Sequence, residues 1–593
     1  MDHDDHLSSV GHNIQEKATV IWNVANSLYG AYKPHEYGLV ILPMTVIKRF
    51  HDCLLATHGQ VLQTCEKIRH LAVKDGFLRK ASGYAFYNTS KFTFETLRAD
   101  AENIEDNFRA YINGFSENVQ DILTQMGFEG HIKRMSEAGL LYQVIVDFCS
   151  EKADMHPNKV KAVDMGYIFE NLVQRFSESY DEEAGAHFTS RDIIYTMCDL
   201  LVTGDSAAAS ADGVNKTVYD MTMGTSQMLT CMEERLLQLD ADAAITTFGQ
   251  ELNPFTYGIA KADTLIRNGN PDNMKFGDTL NNDQFSGYTF DYVISNPPFG
   301  IDWKREATDV EREARKGAQG RFGAGLPSKS DGQLLFMLNG VAKLAEGGRM
   351  AIIQNGSSLF SGDAGSGPSE IRRYLIENDW LDAIIQLPND SFYNTGIATY
   401  IWIVTKGKPA NHDGKVLLID ASQCFESRRK PIGKKRVDLS PACRDLIVKA
   451  YGEYKSEDYK VTLENGRTIM CQSRLIDDVE LGYSKITVES PTLDESGKKV
   501  LKKGKPVPDA SKRDTENVPL DQDIDDYFAR EVLPFNPDAW IDKAKTKVGY
   551  EIPFTRTFYV YKELEKAADI AARIEAHEHS LMEKLHAIFG EGK

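Results

Sequence analysis

The chain has 593 residues, of which 42% are hydrophobic and 26% are charged, and these are ordinary values for a soluble globular protein. No apolar run approaches the roughly 20 residues of a membrane span, and the acidic, polar N-terminus lacks the pattern of a signal peptide. The net charge of −19 predicts that the chain alone binds DNA poorly, because contacts with phosphates supply most non-specific affinity.

The length predicts about two to four domains of roughly 100–200 residues each. The eight cysteines are scattered and form no C-x-x-C pair. This pattern argues against a structural zinc site and against a disulfide framework, and we expect no metal ion. It fits a protein of a reducing cytoplasm.

Residues 1–158 are predicted to form an N-terminal helical domain. Ile14–Leu28 and Leu39–Leu55 show apolar residues at three- and four-residue spacing, and Phe92–Phe128 continues the pattern with polar interruptions. No catalytic cluster lies here. We expect a domain that docks a partner or clamps DNA.

In the next region, up to about residue 428, short apolar runs alternate with helical patterns. Such alternation predicts a doubly wound α/β sheet, in which ligands bind at the carboxyl ends of the strands. The informative side chains should therefore follow the strands. The predicted strands contain Thr217–Tyr219, Thr246–Gly249, Tyr292–Ile294, Met350–Ile353, Ala383–Ile385 and Tyr400–Val404.

Residues 429–593 are polar and mixed, and 490–517 are predicted to be an exposed hairpin or a flexible insertion. A helix is predicted at about 560–590. It either folds on its own core or docks the helices of a partner, since its apolar residues follow the 3-4 spacing of a coiled-coil seam. The seam positions are Leu564, Ala567, Ala571, Ile574, Glu578, Leu581, Leu585 and Ile588.

Four polar motifs follow predicted strands in chain order. A turn containing Gly224 opens a helix and can present backbone N–H groups to a carboxylate. Glu251 follows the next strand, where an acidic residue can accept both ribose hydroxyls. Asp278 can accept a hydrogen bond from an adenine amine. The fourth motif is Asn296-Pro297-Pro298-Phe299.

The two prolines of the fourth motif end the strand rigidly, because they lack N–H donors and fix φ. The Asn296 side-chain oxygen and the Pro297 carbonyl then make two converging acceptors, which suit an –NH2 group. Phe299 can stack on the flat ring that carries this amine. An exocyclic amine of a nucleobase has this chemistry.

The order of these motifs resembles that of class I S-adenosylmethionine-dependent methyltransferases, and in particular the modification subunit of type I restriction-modification systems, an N6-adenine DNA methyltransferase. The resemblance covers nearly the whole chain. It includes 185–191, the helix containing 166–170 and the later stretches 325–331, 348–356, 370–373, 387–397 and 547–556. It implies an α/β, Rossmann-like methyltransferase domain at 159–428, between the N-terminal helical domain and a C-terminal region with a helical extension.

The resemblance also implies the roles of the site residues. Asn296, Pro297, Pro298 and Phe299 are the expected catalytic motif, acting on an adenine that is flipped out of the duplex. Asp220 would hold the methionine ammonium of the cofactor. Arg191 either contributes to the site or forms a salt bridge. The expected S-adenosylmethionine-binding residues are Gly166, Glu170, His187, Phe188, Thr189, Asp220, Gly224, Thr225, Ser226, Glu251, Asp278 and Thr279.

The cofactor loop departs from the family pattern. Met221 replaces a proline, Ser226 replaces the second glycine of a Gly-x-Gly pair, and Gln227 replaces a small residue. Serine fits this position if its φ is negative, since glycine alone tolerates positive φ without strain. The loop is therefore either a subfamily variant or a weakened site, and the second case would make the chain a non-catalytic, DNA-binding scaffold.

The resemblance implies partners as well: double-stranded DNA, one specificity subunit for every two modification subunits, and a restriction and translocase subunit, in a prokaryotic cytoplasm. It implies no membrane. No target-recognition domain follows the catalytic motif, so the specificity subunit would choose the site. N4-cytosine methylation and methylation of a protein glutamine amide remain alternatives, because the same tetrapeptide serves either amine.

Overall fold

The structure is a computed structural model that describes residues 12–179, 189–203, 214–559, 561 and 565–589. The chain forms two compact units, Met1–Ile552 and Pro553–Lys593. The first unit contains the predicted helical region and the predicted α/β core. The second unit contains the predicted C-terminal helix.

The N-terminal part of the first unit is helical, as its apolar spacing predicts. The predicted run at 92–128 is three short helices, because the chain turns at Asn103 and again at Gly114 and starts new helices. The helices are α1 (His12–Asn23), α2 (Gly38–Leu54), α3 (His58–Lys67), α4 (Asp75–Ser82), α5 (Phe94–Arg98), α6 (Ile104–Asn113), α7 (Glu117–Gln125), α8 (Phe128–Glu137) and α9 (Leu141–Phe148).

The centre of the first unit is a ten-stranded sheet. Its strands are β1 (Asn215–Asp220), β2 (Ala244–Glu251), β3 (Met274–Phe276), β4 (Phe290–Ser295), β5 (Leu344–Asn355), β6 (Leu381–Gln386), β7 (Thr399–Thr405), β8 (Lys415–Asp420), β11 (Glu457–Thr462) and β12 (Thr468–Asp477). They lie in the order β11-β12-β8-β6-β7-β5-β4-β1-β2-β3.

Every predicted strand is present in this sheet. β7 and β12 run antiparallel to their neighbours, and the other pairings between β8 and β3 are parallel. The carboxyl ends of β1 to β6 and of β8 therefore lie along one edge of the sheet. The helices between residues 162 and 527 are α10 (Ala162–Ser179), α11 (Arg191–Val202), α12 (Gln227–Leu239), α13 (Pro254–Ile266), α14 (Ala307–Ala314), α15 (Gln333–Ala342), α16 (Ser357–Phe360), α17 (Gly367–Glu377), α18 (Pro441–Glu453) and α19 (Ile524–Tyr527). Of these, α11, α12, α13, α15 and α18 pack on the sheet.

Two large apolar cores hold these layers together. In one, the N-terminal helices pack against Ile259 and Leu265 of α13, so the helical region is fixed on the α/β core. In the other, α11, α12 and α18 cover the sheet. Burial of apolar surface contributes about 25 cal/mol per Å², so both contacts stabilise the unit strongly.

The main sheet continues past the predicted domain boundary at residue 428. β11 and β12 add two strands to its edge, although the sequence from 429 onward is polar. Only one face of β12 is buried, through Ile469, Cys471 and Ser473, so its polar residues face outward and hide the strand signal.

The remaining strands form a small sheet and two hairpins. The small sheet contains β13 (Gly482–Glu489), β16 (Asp514–Pro519), β17 (Trp540–Ile541) and β18 (Lys547–Tyr550). The hairpins are β9 (Glu426–Ile432) with β10 (Lys435–Asp438), and β14 (Leu501–Lys502) with β15 (Lys505–Pro506). The second hairpin is exposed and lies in the predicted insertion.

The second unit contains α20 (Phe554–Thr557) and the long helix α21 (Ala567–Phe589). The described side chains of α21 are almost all exposed, among them Ile574 and Leu581, each 59% exposed. Leu564, a predicted seam position, lies outside the described residues. Among the described helices of both units, none has the length and apolar character needed to span a membrane.

Candidate active site

The parallel strands bring the predicted motifs to one cavity. Its volume is about 570 Å³, and it lies where β1, β2, β3 and β4 end. Residues from all four strand ends line it, which is the location that an α/β sheet provides for ligands. The predicted site residues on its wall are Thr189, Asp220, Gly224, Thr225, Glu251, Asp278, Thr279, Asn296 and Pro298.

Asp220 ends β1 and is almost fully buried, with 1% of its surface exposed. Its Oδ1 accepts hydrogen bonds from Ser295 Oγ at 2.6 Å and from the Thr222 backbone N–H at 3.0 Å. Burial raises the pKa of Asp220 to about 7, because the two hydrogen bonds compensate only partly for lost hydration. A cationic group entering the cavity would supply the missing compensation.

The turn after β1 has two residues with left-handed backbone. Gly224 has a φ of 52°, and Ser226 has a φ of 65°. Ser226 therefore does not have the negative φ at which serine would fit without strain. Its Cβ makes this backbone conformation costly, whereas glycine, which has no Cβ, would adopt it freely. The turn is nevertheless closed, since the Ser226 backbone N–H donates to the Met223 carbonyl at 2.7 Å.

Glu251 ends β2 and joins two of the motif loops. Its Oε2 accepts from the Gly224 backbone N–H at 2.8 Å, and its Oε1 accepts from the Asn253 backbone N–H at 2.7 Å. Each carboxylate oxygen keeps a second lone pair, so both can still accept from a diol. The sequence predicts that Glu251 accepts from a diol, but it does not indicate that Glu251 also bonds the backbone of the two loops.

The backbone of the loop after β3 is held by hydrogen bonds from an arginine that the sequence analysis missed. Arg321 Nη1 donates to the Thr279 carbonyl at 2.7 Å, and its Nη2 donates to the Leu280 carbonyl at 3.1 Å. Glu313 pairs with the same guanidinium at 2.7 Å. These bonds fix the residues that directly follow Asp278. Nothing in the sequence marks this contact, because 42 residues separate Arg321 from Thr279.

Asn296 follows β4 with its side chain oriented by Thr189. Its Nδ2 donates to Thr189 Oγ1 at 2.8 Å, which leaves Oδ1 buried and without a hydrogen-bond partner among the described residues. A buried acceptor without a donor costs about 1–3 kcal/mol. The atom that the sequence assigns to an amine is thus the one that needs a donor.

The other residues of the Asn-Pro-Pro-Phe motif follow Asn296 directly. Pro298 lines the cavity, and Pro297 is buried beside it. Phe299 is half-buried and meets Phe392 edge to face, with ring centroids 6.5 Å apart. The contact joins the motif to the loop that follows β6.

Two predicted cofactor residues lie elsewhere. Gly166 and Glu170 line a separate small cavity of about 20 Å³, with Thr225 and Gln227 between it and the large one. Glu170 pairs with the buried Arg191 and accepts from Gln227 Nε2 at 2.8 Å. The salt bridge that the sequence analysis gave as one alternative for Arg191 is present. Ser226, Pro297 and Phe299 are not on the wall of the large cavity.

His187 and Phe188 lie outside the described residues. The sequence analysis missed other side chains of the cavity wall, among them Leu252, Asp302, Arg305 and Glu306. Burial raises the pKa of Glu306, and the carboxylate of Asp278 adds to this effect. Glu306 follows the catalytic motif within a polar stretch, so no pattern distinguishes it in the sequence.

Known proteins match both parts of the first unit. The family model described as N-6 DNA Methylase matches residues 161–485, and the model described as HsdM N-terminal domain matches residues 18–148. The Type I restriction enzyme MjaIX methylase subunit of Methanocaldococcus jannaschii is 22% identical over 431 residues, covering 70% of this chain and 74% of that protein. The Type I restriction enzyme MpnII methylase subunit of Mycoplasma pneumoniae is 27% identical over 320 residues, covering 52% and 54%.

A solved structure has the same fold. The type I restriction-modification system methyltransferase subunit from Streptococcus thermophilus superimposes with a TM-score of 0.60 at 21% identity, covering 79% of this chain and 97% of that one. This similarity confirms the predicted fold class. At such identity it concerns the fold alone.

Proposed function

Because this chain belongs to the N-6 DNA methylase family, we propose that it is the methylating subunit of a type I restriction-modification system, acting on the N6 amine of adenine in DNA. The observation that carries the proposal is that Asn296 lines the large cavity and that its buried Oδ1 has no hydrogen-bond donor among the described residues. An adenine amine brings two N–H donors. The family argues for adenine over the cytosine and glutamine alternatives.

The cavity fits S-adenosylmethionine. Five carboxylates line it together with the turn at Gly224, namely those of Asp220, Glu251, Asp278, Asp302 and Glu306. Each of three residues would bind a different group of the cofactor: Asp220 would bind the ammonium, Glu251 the ribose hydroxyls and Asp278 the adenine amine. When bound, this cofactor supplies an electrophilic methyl group on its sulfonium.

The protein's part in the reaction is to position and polarise the target amine. Asn296 Oδ1 and the Pro297 carbonyl would accept its two hydrogens, which directs the nitrogen lone pair toward the methyl group. Thr189 fixes the orientation of the amide through the bond to Nδ2. Phe299 would stack on the flipped base. The methylated, positively charged nitrogen can then lose one proton to water, so no general base is needed before the transfer.

The departures in the cofactor loop do not remove the site. The turn is closed, and its Gly224 N–H is held by Glu251. These bonds favour a working variant over a scaffold. Strain at Ser226 would lower stability, since a non-glycine residue in this conformation costs about 1–2 kcal/mol.

The partners are part of the proposal. The curated relatives are subunits of type I restriction enzymes, so a specificity subunit would choose the DNA site and a restriction subunit would cleave unmodified DNA. Helix α21, with its exposed apolar seam, would dock the specificity subunit. A chain with a net charge of −19 needs such a partner to hold DNA.

The test is the methylation pattern in a host without adenine methylation. The chain and its specificity subunit are expressed together, and modified bases in the genome are read by single-molecule sequencing. We expect N6-methyladenine at one recurring sequence motif. N4-methylcytosine at that motif, or no modification while the complex assembles and binds S-adenosylmethionine, would contradict the proposal.

A further inference from the structure

The β9–β10 hairpin, residues 426–438, carries a dense group of positive charges in a strongly acidic chain. We call it the basic hairpin. Arg428 pairs with Asp438 at 2.6 Å, and Lys435 is buried, so neither is free for a ligand. Four further cations are exposed, and no carboxylate pairs with them in the part of the chain that the structure describes: Arg429, Lys430, Lys434 and Arg436.

The basic hairpin is attached to the loop that follows β6. The Lys434 backbone N–H donates to the Tyr393 carbonyl at 2.8 Å, and the Arg436 backbone N–H donates to the Asp390 carbonyl at 2.9 Å. The turn fits closely, because a Cβ at Gly433 would come within 2.4 Å of the Tyr393 carbonyl oxygen. These bonds fix the hairpin at the carboxyl edge of the sheet.

The same loop reaches the catalytic motif. Phe392 lies between Ser391 and Tyr393, and it meets Phe299 edge to face. The loop therefore contacts the basic hairpin on one side and the Asn-Pro-Pro-Phe motif on the other.

A second connection runs through the start of α11. Lys435 Nζ donates to Asp192 Oδ2 and to the Ser391 carbonyl, each at 3.0 Å. Asp192 lies three residues after Thr189, whose hydroxyl orients Asn296. The hairpin is thus anchored to both segments that contact the catalytic residues.

The charges at this edge are divided. The cavity at the ends of β1, β2 and β3 is lined by five acidic residues and, among the described residues, by Arg305 as the one basic residue; the acidic ones are Asp220, Glu251, Asp278, Asp302 and Glu306. A DNA phosphate would be repelled there. The cations lie on the other half of the edge, after β8, so they provide the place where a backbone can lie while its base enters the cavity.

We propose that the basic hairpin is a phosphate clamp, in which Arg429, Lys430, Lys434 and Arg436 contact the DNA backbone beside the flipped nucleotide. The inference rests on the proposed function and adds the residues that hold the DNA. Each phosphate contact should add about 0.9 to the slope of log affinity against log salt. Four contacts would contribute about 3 to 4 to that slope.

The experiment uses the complex with the specificity subunit and a duplex that contains the methylated motif. Arg429, Lys430, Lys434 and Arg436 are changed together to Gln, and DNA affinity is measured by fluorescence anisotropy from 50 to 200 mM KCl. We expect the salt slope to fall by about 3 and Kd at 100 mM to rise at least tenfold. S-adenosylmethionine binding should not change, because the cavity is untouched.

A matched control removes four exposed charges from another hairpin. Lys498, Lys502, Lys503 and Lys505 lie on or beside β14 and β15, in the small hairpin of the insertion. Changed together to Gln, they alter the net charge equally and should leave the salt slope within 1 of the unaltered complex.

The outcomes separate the two proposals. Equal salt slopes for both quadruple variants would overturn the phosphate clamp while the methylation of the unaltered complex still supports the proposed function. The hairpin variant could instead lose the specificity subunit while the complexes that do assemble keep an unchanged salt slope. That result would show that the hairpin docks a protein and would also overturn the phosphate clamp. An unaltered complex that methylates no DNA would overturn both.

Discussion

Ser226 shows most clearly what a single residue contributes to this site. Its backbone has a φ of 65°, in the region that L-residues occupy at a cost of about 1–2 kcal/mol. The residue is buried, 3% exposed, between the closed turn and α12. The sequence showed that serine replaces a glycine at this position. It could not predict the sign of φ, because that depends on the hydrogen bonds formed by the surrounding turn.

We expect Ser226→Gly to stabilise the first unit by up to about 1 kcal/mol, because glycine adopts this conformation without strain but loses more backbone entropy. The free energy of unfolding is measured by urea denaturation. Ser226→Ala is the control, since it keeps the Cβ and the strain. Equal stabilities for the glycine and alanine variants would show that the strain is absent.

We expect Asp220 to make cofactor binding depend on pH. Its pKa is raised to about 7 by burial, so the carboxyl is neutral below that pH and ionised above it. The ammonium needs the ionised form. We expect the Kd for S-adenosylmethionine to be constant above about pH 8 and to rise about tenfold on going down to pH 6.

Calorimetry from pH 6 to 8.5 measures this dependence, with Asp220→Asn as the control. The variant should bind S-adenosylmethionine weakly. Its Kd should lack the tenfold rise between pH 8 and pH 6, because the amide of asparagine does not titrate. A variant whose Kd follows the same pH curve as the unaltered protein would refute the role of Asp220.

At the scale of elements, the strand ends carry most of what the sequence could predict. Alternating apolar runs identified β1, β2 and β4 to β7, and the polar residues after β1, β2 and β4 converge on one cavity because parallel strands end at one edge. Contacts between distant segments could not be predicted. Examples are the bond from Thr189 to Asn296, the bonds from Arg321 to the loop at Thr279, and the addition of β11 and β12 to the sheet.

Arg321 should act as a positioning residue for the loop after β3. Arg321→Lys loses the forked contact with two carbonyl oxygens, since lysine has a single donor group. We expect the Kd for S-adenosylmethionine to rise about tenfold, equal to about 1.4 kcal/mol. Methyl transfer at saturating cofactor should change less than threefold.

Arg305→Lys serves as the control for that variant, because this exposed arginine lines the same cavity, whereas the Thr279 and Leu280 carbonyls are held by Arg321. A tenfold effect on the transfer rate at saturating cofactor would contradict a purely positioning role for Arg321.

Helix α21 tests the docking prediction. Its seam residues Ile574 and Leu585 are 59% and 41% exposed, so their replacement leaves the packing of the chain intact. We expect Ile574→Glu with Leu585→Glu to abolish co-purification with the specificity subunit. S-adenosylmethionine binding should be unchanged, since the cavity belongs to the first unit.

The control adds the same two charges off the seam, as Ala572→Glu with Ala576→Glu. It should leave the association intact. Co-purification of the seam variant at the level of this control would remove α21 from the interface.

At the scale of the whole molecule, charge and architecture agree with a subunit that relies on others. A net charge of −19 disfavours DNA, and the basic hairpin is a local exception beside the site. The composition predicted the overall charge. It could not show that the basic hairpin and the Asn-Pro-Pro-Phe motif contact the same loop, since that depends on how the loop after β6 folds.

The central claim is that Asn296 activates the adenine amine. Its most direct test is the single-turnover rate of methyl transfer by the assembled complex at saturating S-adenosylmethionine, with Asn296→Ala beside the unaltered chain. We predict a loss of at least about 100-fold, the usual effect of removing one preorganised hydrogen-bonding group, with the cofactor Kd changed less than threefold. Equal rates for the two proteins would contradict the account.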